Sequence, residues 1–187
     1  MNEVGNALIF RRKAYDDSAL LLELFSESYG RISAVARGAQ KSTSKLRSHL
    51  EPFRLVRVFI PHPRGRFIIG EAITIENFCS FSTESILYQS ALILVCESYT
   101  PFHTPLPEIY RVMRRHLSLM KQISSQKIGK SMLMTALLEL ASSVGMDVPE
   151  ETKYSIIAIW KFLQWNAPVP LPPIPLVLDA TPVISVV

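Results

Sequence analysis

The chain has 187 residues, 48% apolar and 19% charged, with a formal net charge of +4, which is material for one moderate globular domain or two small ones and excludes a chain disordered throughout. Two cysteines, Cys79 and Cys96, stand apart with no CxxC between them, so neither a disulfide framework nor a zinc ribbon is read from them and a reducing, cytoplasmic setting fits best. In "MNEVGNALIFRRK" a short apolar stretch precedes the basic residues, the reverse of a secretory signal, and export is not expected.

In chain order, the first 80 residues are short segments rich in β-branched and aromatic residues: "NALIFRR", "SALLLELFS", "RISAVARGA", "FRLVRVFIP" and "RFIIGEAITIENF". The turns "YDD", "SESYG", "QKSTSK" and "PHPRG" separate them, and the pattern predicts five strands. In "FRLVRVF", Phe53, Leu55 and Phe59 share one parity with Arg57, and Arg54 shares the other with Val56 and Val58. That strand is expected to be apolar on both faces. Five short strands with one long polar connection suit a small closed barrel, because closure removes exposed edges.

Beyond residue 82 the period becomes helical. Ser82 or Thr83 is placed to cap a helix that stops before Pro101, and Pro107 with Glu108 opens a second helix through about Met120. A third runs from about Lys127 to Ser143 and ends at Gly145, and a weaker fourth covers Thr152 to Gln164. The tail "APVPLPPIPLVLDATPVISVV" has six prolines and one charge, so it reads as extended or strand-like and not as a membrane span. The divisions expected are 1–80, 81–166 and 167–187.

Charge is distributed unevenly along this order. Residues 1–70 hold 12 Lys/Arg against 6 Asp/Glu, and residues 71–187 hold 8 against 10. From Arg31 to Arg66 nine cations face the single anion Glu51, a balance that points to a polyanionic partner. The centre of it is "RGAQKSTSKLR", residues 37–47, with Arg37, Lys41, Lys45 and Arg47 and no anion. Cations on a small-residue loop reach phosphates without being buried, and each neutralised phosphate releases counterions. The plainer alternative is a solvated turn that only aids solubility.

Residues 7–53, "ALIFRRKAYDDSALLLELFSESYGRISAVARGAQKSTSKLRSHLEPF", resemble the amino-terminal domain of the bacterial DNA repair protein RecO family. The resemblance is carried by the strand ending in basic residues, the Tyr-acidic-Ser turn, "GRISAVARGA", the basic loop and "LEPF". "YQSALILVCESY" and "LPEIYRVMRRHL" resemble that family's first helices, and the likeness extends to about residue 149. It implies an α+β chain with a five-stranded OB-fold barrel followed by a helical domain. The implied role is a non-enzymatic recombination mediator. Such a protein binds single- and double-stranded DNA, anneals complementary strands, engages the tail of the single-strand binding protein SSB, and acts with RecR to place RecA on coated DNA. Many family members carry four zinc-binding cysteines after the third helix; "GMDVPEETKYSII" has none, and no metal or other cofactor is expected.

The DNA-contacting set expected from charge and resemblance together is Arg31, Arg37, Lys41, Lys45, Arg47, Arg57, Arg64 and Arg66. Arg11, Arg12 and Lys13 extend the basic track or form a solvated strand end. Tyr15, Tyr29 and Phe67 are candidates to stack on bases, with Phe25, Phe53 and Phe59 assigned to the core. Lys127 and Lys130, with Arg114 and Arg115, are the candidates for an acidic SSB tail; an exposed helix face explains them as simply. His49, His62, His103 and His116 have no metal-ligand spacing, and there is no GxSxG, P-loop or GxGxxG, so an enzyme is not expected. The competing reading is an adaptor whose barrel and helices bind partner proteins with little direct DNA binding.

Overall fold

The structure, a computed structural model, describes residues 2–60, 67–80, 82–123 and 125–175. Strands β1 (Asn2–Ala14), β2 (Leu20–Ser26), β3 (Gly30–Ala36), β4 (Arg54–Ile60), β5 (Phe67–Ile68) and β6 (Glu71–Asn77) precede the helices. The helices are α1 (Thr83–Tyr99), α2 (Pro107–Met120), α3 (Gln126–Ser143) and α4 (Ile156–Asn166), with a 3-10 turn at Glu150–Thr152. The α+β class and the order of elements match the expectation, and the strand count does not. The fifth segment divides into β5 and β6, giving a six-stranded mixed sheet in the order β5-β3-β2-β1-β4-β6.

The physical reason is a change of partner. Phe67 and Ile68 run parallel to β3, and Ile69 N–H donates to Val35 O at 2.9 Å. At the next residue Gly70 N–H donates to Phe59 O at 2.9 Å, and β6 then runs antiparallel to β4. One short segment thus bonds in turn to strands from opposite sides of the sheet.

Alternation sorts the sheet's side chains into two cores. Ile9, Leu22, Leu24, Ile32, Val56 and Val58 fill the inner one, and Leu8, Phe10, Phe25 and Leu55 turn the other way to join the helices. The register between β1 and β2 shifts between Ile9 and Arg11, a bulge that re-aims the basic end of β1. Apolar character on both faces of β4 is therefore observed, with Arg57 exposed on the parity of Leu55.

Helix starts follow local chemistry. Ser82, Ser125 and Ser155 hydroxyls accept the N–H of Ser85, Ile128 and Ala158, and Pro107 opens α2. The fourth helix begins later than its apolar pattern suggests, because Ser155 supplies the cap and residues 150–152 form the 3-10 turn. α1 is buried on nearly all sides; Gln89 Nε2 donates to Phe78 O at 2.8 Å and Leu117 O at 3.0 Å, joining the end of the sheet to α2. Of the tail, residues 167–175 lie irregularly on α4, with Leu171 buried and Trp160 Nε1 donating to Pro172 O at 3.1 Å. Residues 176–187 lie outside the described residues.

Candidate nucleic-acid interface

The connection from β3 to β4 is built as a run of tight turns. Lys41 N–H donates to Gly38 O at 3.2 Å, Ser44 N–H to Lys41 O at 3.0 Å, and His49 N–H to Leu46 O at 2.9 Å. Gly38 takes φ +69° to begin it, a conformation that a side chain disfavours. The small and apolar residues point inward: Ala39 and Leu50 are fully buried in the inner core and Leu46 packs against it. Polar ties hold both ends, with Gln40 N–H donating to Ser18 O at 2.9 Å and Thr74 N–H donating to His49 Nδ1 at 3.2 Å.

This anchoring leaves Arg37, Lys41, Lys45 and Arg47 on the outside, all exposed. Among the described residues none of the four is in a salt bridge. Arg37 acts only at longer range on Asp16, whose carboxyl sits below its ordinary range chiefly because the Ser18 and Ala19 N–H groups donate to it. Arg57 is exposed on the outer face of β4, beside Ile73 of β6. Arg64 and Arg66 fall outside the described residues.

Arg31 stands apart from the rest of the expected set. Its guanidinium Nη1 donates to Glu97 O at 2.6 Å, its Cζ lies 4.0 Å from the centre of the Phe102 ring, and its side chain is 14% exposed. It locks the sheet to the end of α1 and is not presented to solvent as the loop cations are. The close approach here also requires Gly30, at φ +65°, because a Cβ would fall 1.9 Å from Thr104 O. Arg11 and Arg12 likewise have carboxylate partners, Glu97 and Glu51, whereas Lys13 is exposed and in no salt bridge among the described residues.

On the helical half, Arg114 lies 3.9 Å from Glu76, Arg115 pairs with Glu139, and Arg111 bonds Glu108 at 2.6 Å. Lys127 is exposed and Lys130 half-buried in the first two turns of α3. Arg114 and Arg115 belong to α2, and Lys127 and Lys130 to α3. Of the aromatic candidates, Tyr15 is 46% exposed, and Phe67 is buried, with Tyr29 edge-on to it at 6.2 Å and His103 stacked on it at 5.8 Å. Phe25 is fully buried, but Phe53 and Phe59 are only partly so.

A groove of about 490 Å³, which no sequence pattern announces, opens at the basic end of β1, with Phe10 and Phe53 in its wall. Its two rings come from positions far apart in the chain, and no local pattern links them. Among the described residues no group of three His, Cys, Asp or Glu side chains could hold a metal, and no helix is long and apolar enough to cross a membrane.

Residues 1–78 match the family model described as Recombination protein O N terminal. The chain is also 26% identical over 144 residues to the DNA repair protein RecO of Myxococcus xanthus, an alignment covering 75% of this chain and 58% of that protein. The RecO of Aliivibrio salmonicida is 27% identical over the same shares, and that of Vibrio parahaemolyticus is 44% identical over 45 residues, 24% of this chain and 18% of that one. A six-stranded mixed sheet leading into four helices, with a basic loop after its third strand, is thus of the class that begins with this recombination-protein domain. Over residues 1–78 the chain carries the amino-terminal domain of the RecO family, and its matches span less than three-fifths of the length of the first two relatives.

Proposed function

We propose that this protein is a DNA-binding recombination mediator. It anneals complementary single strands and, with RecR, helps RecA load onto SSB-coated DNA; it performs no bond chemistry itself and works in the cytoplasm. The observation that carries the reading is the loop of residues 37–49, which turns its apolar residues into the sheet and leaves four cations outward, in no salt bridge among the described residues. The match of residues 1–78 to the RecO amino-terminal domain supplies the repair context.

Under this reading residues 1–80 form an OB-fold barrel that carries the DNA, and 81–166 form the helical partner domain. Closure of the sheet is supported by the adjacent bonds Ile69 N–H to Val35 O and Gly70 N–H to Phe59 O, which join the β3 side to the β4 side. DNA crosses the loop and Arg57, with Arg64 and Arg66 extending the track. An acidic SSB tail docks at the start of α3, where Lys127 is exposed and Lys130 half-buried, with Met132 half-buried one turn on.

Titration of a fluorescent single-stranded oligonucleotide at several salt concentrations tests the reading. Affinity is expected to fall linearly with log salt, each phosphate contact contributing about −0.7 to the slope. A flat, weak response would favour the adaptor reading. For the partner site, Lys130→Glu should weaken binding of an SSB tail peptide and spare DNA binding.

A further inference from the structure

The groove at the end of β1 has a volume of about 490 Å³, within the span of small-ligand sites, roughly 300–1,000 Å³. Its apolar wall is Phe10, Leu21, Pro52 and Phe53, and its rim is Arg11, Arg12 and Lys13. Phe53 is held at φ +60°, a strained conformation for a residue with a side chain. Two main-chain bonds impose it: Phe53 N–H donates to Ile9 O at 3.1 Å, and Phe78 N–H donates to Phe53 O at 2.8 Å. The ring is thereby kept on the groove wall, half-buried.

The rim is equally fixed. Arg11 Nε donates to Glu97 Oε1 at 2.7 Å, and Arg12 is bonded to Glu51. Each guanidinium is an immobilised plane with its charge balanced, which leaves Lys13 as the cation free of salt bridges among the described residues. Glu23 also lines the groove and disfavours an anionic group deep inside it, so the interior suits a neutral planar group and the rim a phosphate. Arg12 lines a small cleft with Ala39, Gln40 and Arg47 as well, so it borders both the groove and the basic loop.

We infer that this groove takes one unstacked nucleotide of a single strand, its base against Phe53 and the Arg11 guanidinium and its phosphate toward Lys13. The inference rests on the DNA-binding reading above and adds a selectivity to it. A duplex keeps its bases stacked and engages the loop alone, so the groove makes the protein prefer single strands.

The test compares a fluorescent oligothymidylate with a duplex of equal length, using the full chain, Phe53→Leu, and Leu21→Trp, which fills the groove while leaving Phe53 in place. Thermal melts establish that each variant is folded. Each variant is expected to lose about tenfold in single-strand affinity, as for the loss of one stacked base, with duplex affinity unchanged. A 5-iododeoxyuridine oligonucleotide irradiated with the unaltered chain should cross-link to peptides containing Phe53 or Phe10, which decides the matter if a variant does not fold. Unchanged single-strand affinity in both folded variants, equal losses on both DNAs, or cross-links confined to residues 37–49 would overturn the groove and leave DNA binding standing. If the unaltered chain binds neither DNA, the DNA-binding reading fails and the groove falls with it.

Discussion

The loop after β3 and the outer face of α2 each carry a run of cations, and only the loop leaves its charge unmatched. On α2, Arg111 meets Glu108 and Glu27, Arg114 meets Glu76, and Arg115 meets Glu139. In the loop, Arg37, Lys41, Lys45 and Arg47 meet no carboxylate in a salt bridge among the described residues. A cation already facing a carboxylate gains less from a phosphate than one facing water, since it must give up the first partner to take the second. What distinguishes the two regions is therefore the neighbours of the cations and not their number.

The comparison breaks most severely if the loop loses its anchor. Leu50 is fully buried in the inner core, and Leu50→Ala removes that plug at a cost of about 2–5 kcal/mol in unfolding free energy, measurable by urea denaturation. A cost below about 1 kcal/mol would mean that the turns hold themselves without it.

An acid titration probes the other side. His116 is 3% exposed on α2, and burial, helped by the Arg115 guanidinium, pushes its pKa down from 6.5 to about 4. Its Nε2–H donates to Glu139 Oε2 at 2.7 Å, and burial, with the Arg115 guanidinium nearby, keeps the imidazole neutral. The unfolded chain binds a proton near pH 6.5 that the folded chain refuses until about pH 4. The contribution is complete above pH 6.5 and is lost as pH falls from 6.5 toward 4, on the order of 2–3 kcal/mol. His116→Gln should flatten the stability profile in that window, and an unchanged profile would place the acid sensitivity elsewhere.

A smaller effect sharpens the role of the loop itself. Lys41→Ala with Lys45→Ala should flatten the salt dependence of single-strand binding by about 1.4 in log–log slope and weaken affinity about tenfold, with no change in melting temperature because both side chains are exposed. An unaltered slope would move the DNA path off this loop.

Part of this contrast is legible in the sequence. The basic loop shows there because its cations lie within eleven consecutive residues, and the helix ends show because serine, proline and glycine act locally. Pairing at a distance leaves no such mark. Arg31 counts as one more cation in the sequence, yet its neighbours are Glu97 and Phe102, 66 and 71 positions away. Phe53 looks like a core strand residue, and only the bonds to Ile9 and Phe78 turn its ring to the groove. The sixth strand is hidden for the same reason: "RFIIGEAITIENF" is continuous in pattern, and its division at Gly70 depends on which strand lies alongside each part.

The smallest expected effect is the one that isolates neighbours from numbers. Arg114→Ala with Arg115→Ala removes as many charges as the loop double variant, from side chains that are 50% and 57% exposed. If net charge alone governed DNA binding, the two double variants would behave alike. With Glu76 and Glu139 already facing these arginines, the salt slope should instead stay within error of the unaltered chain. Stability should fall by about 1 kcal/mol or less for such exposed pairs. A slope as flat as that of the Lys41/Lys45 variant would show that α2 lies on the DNA path and that its ion pairs open to phosphate.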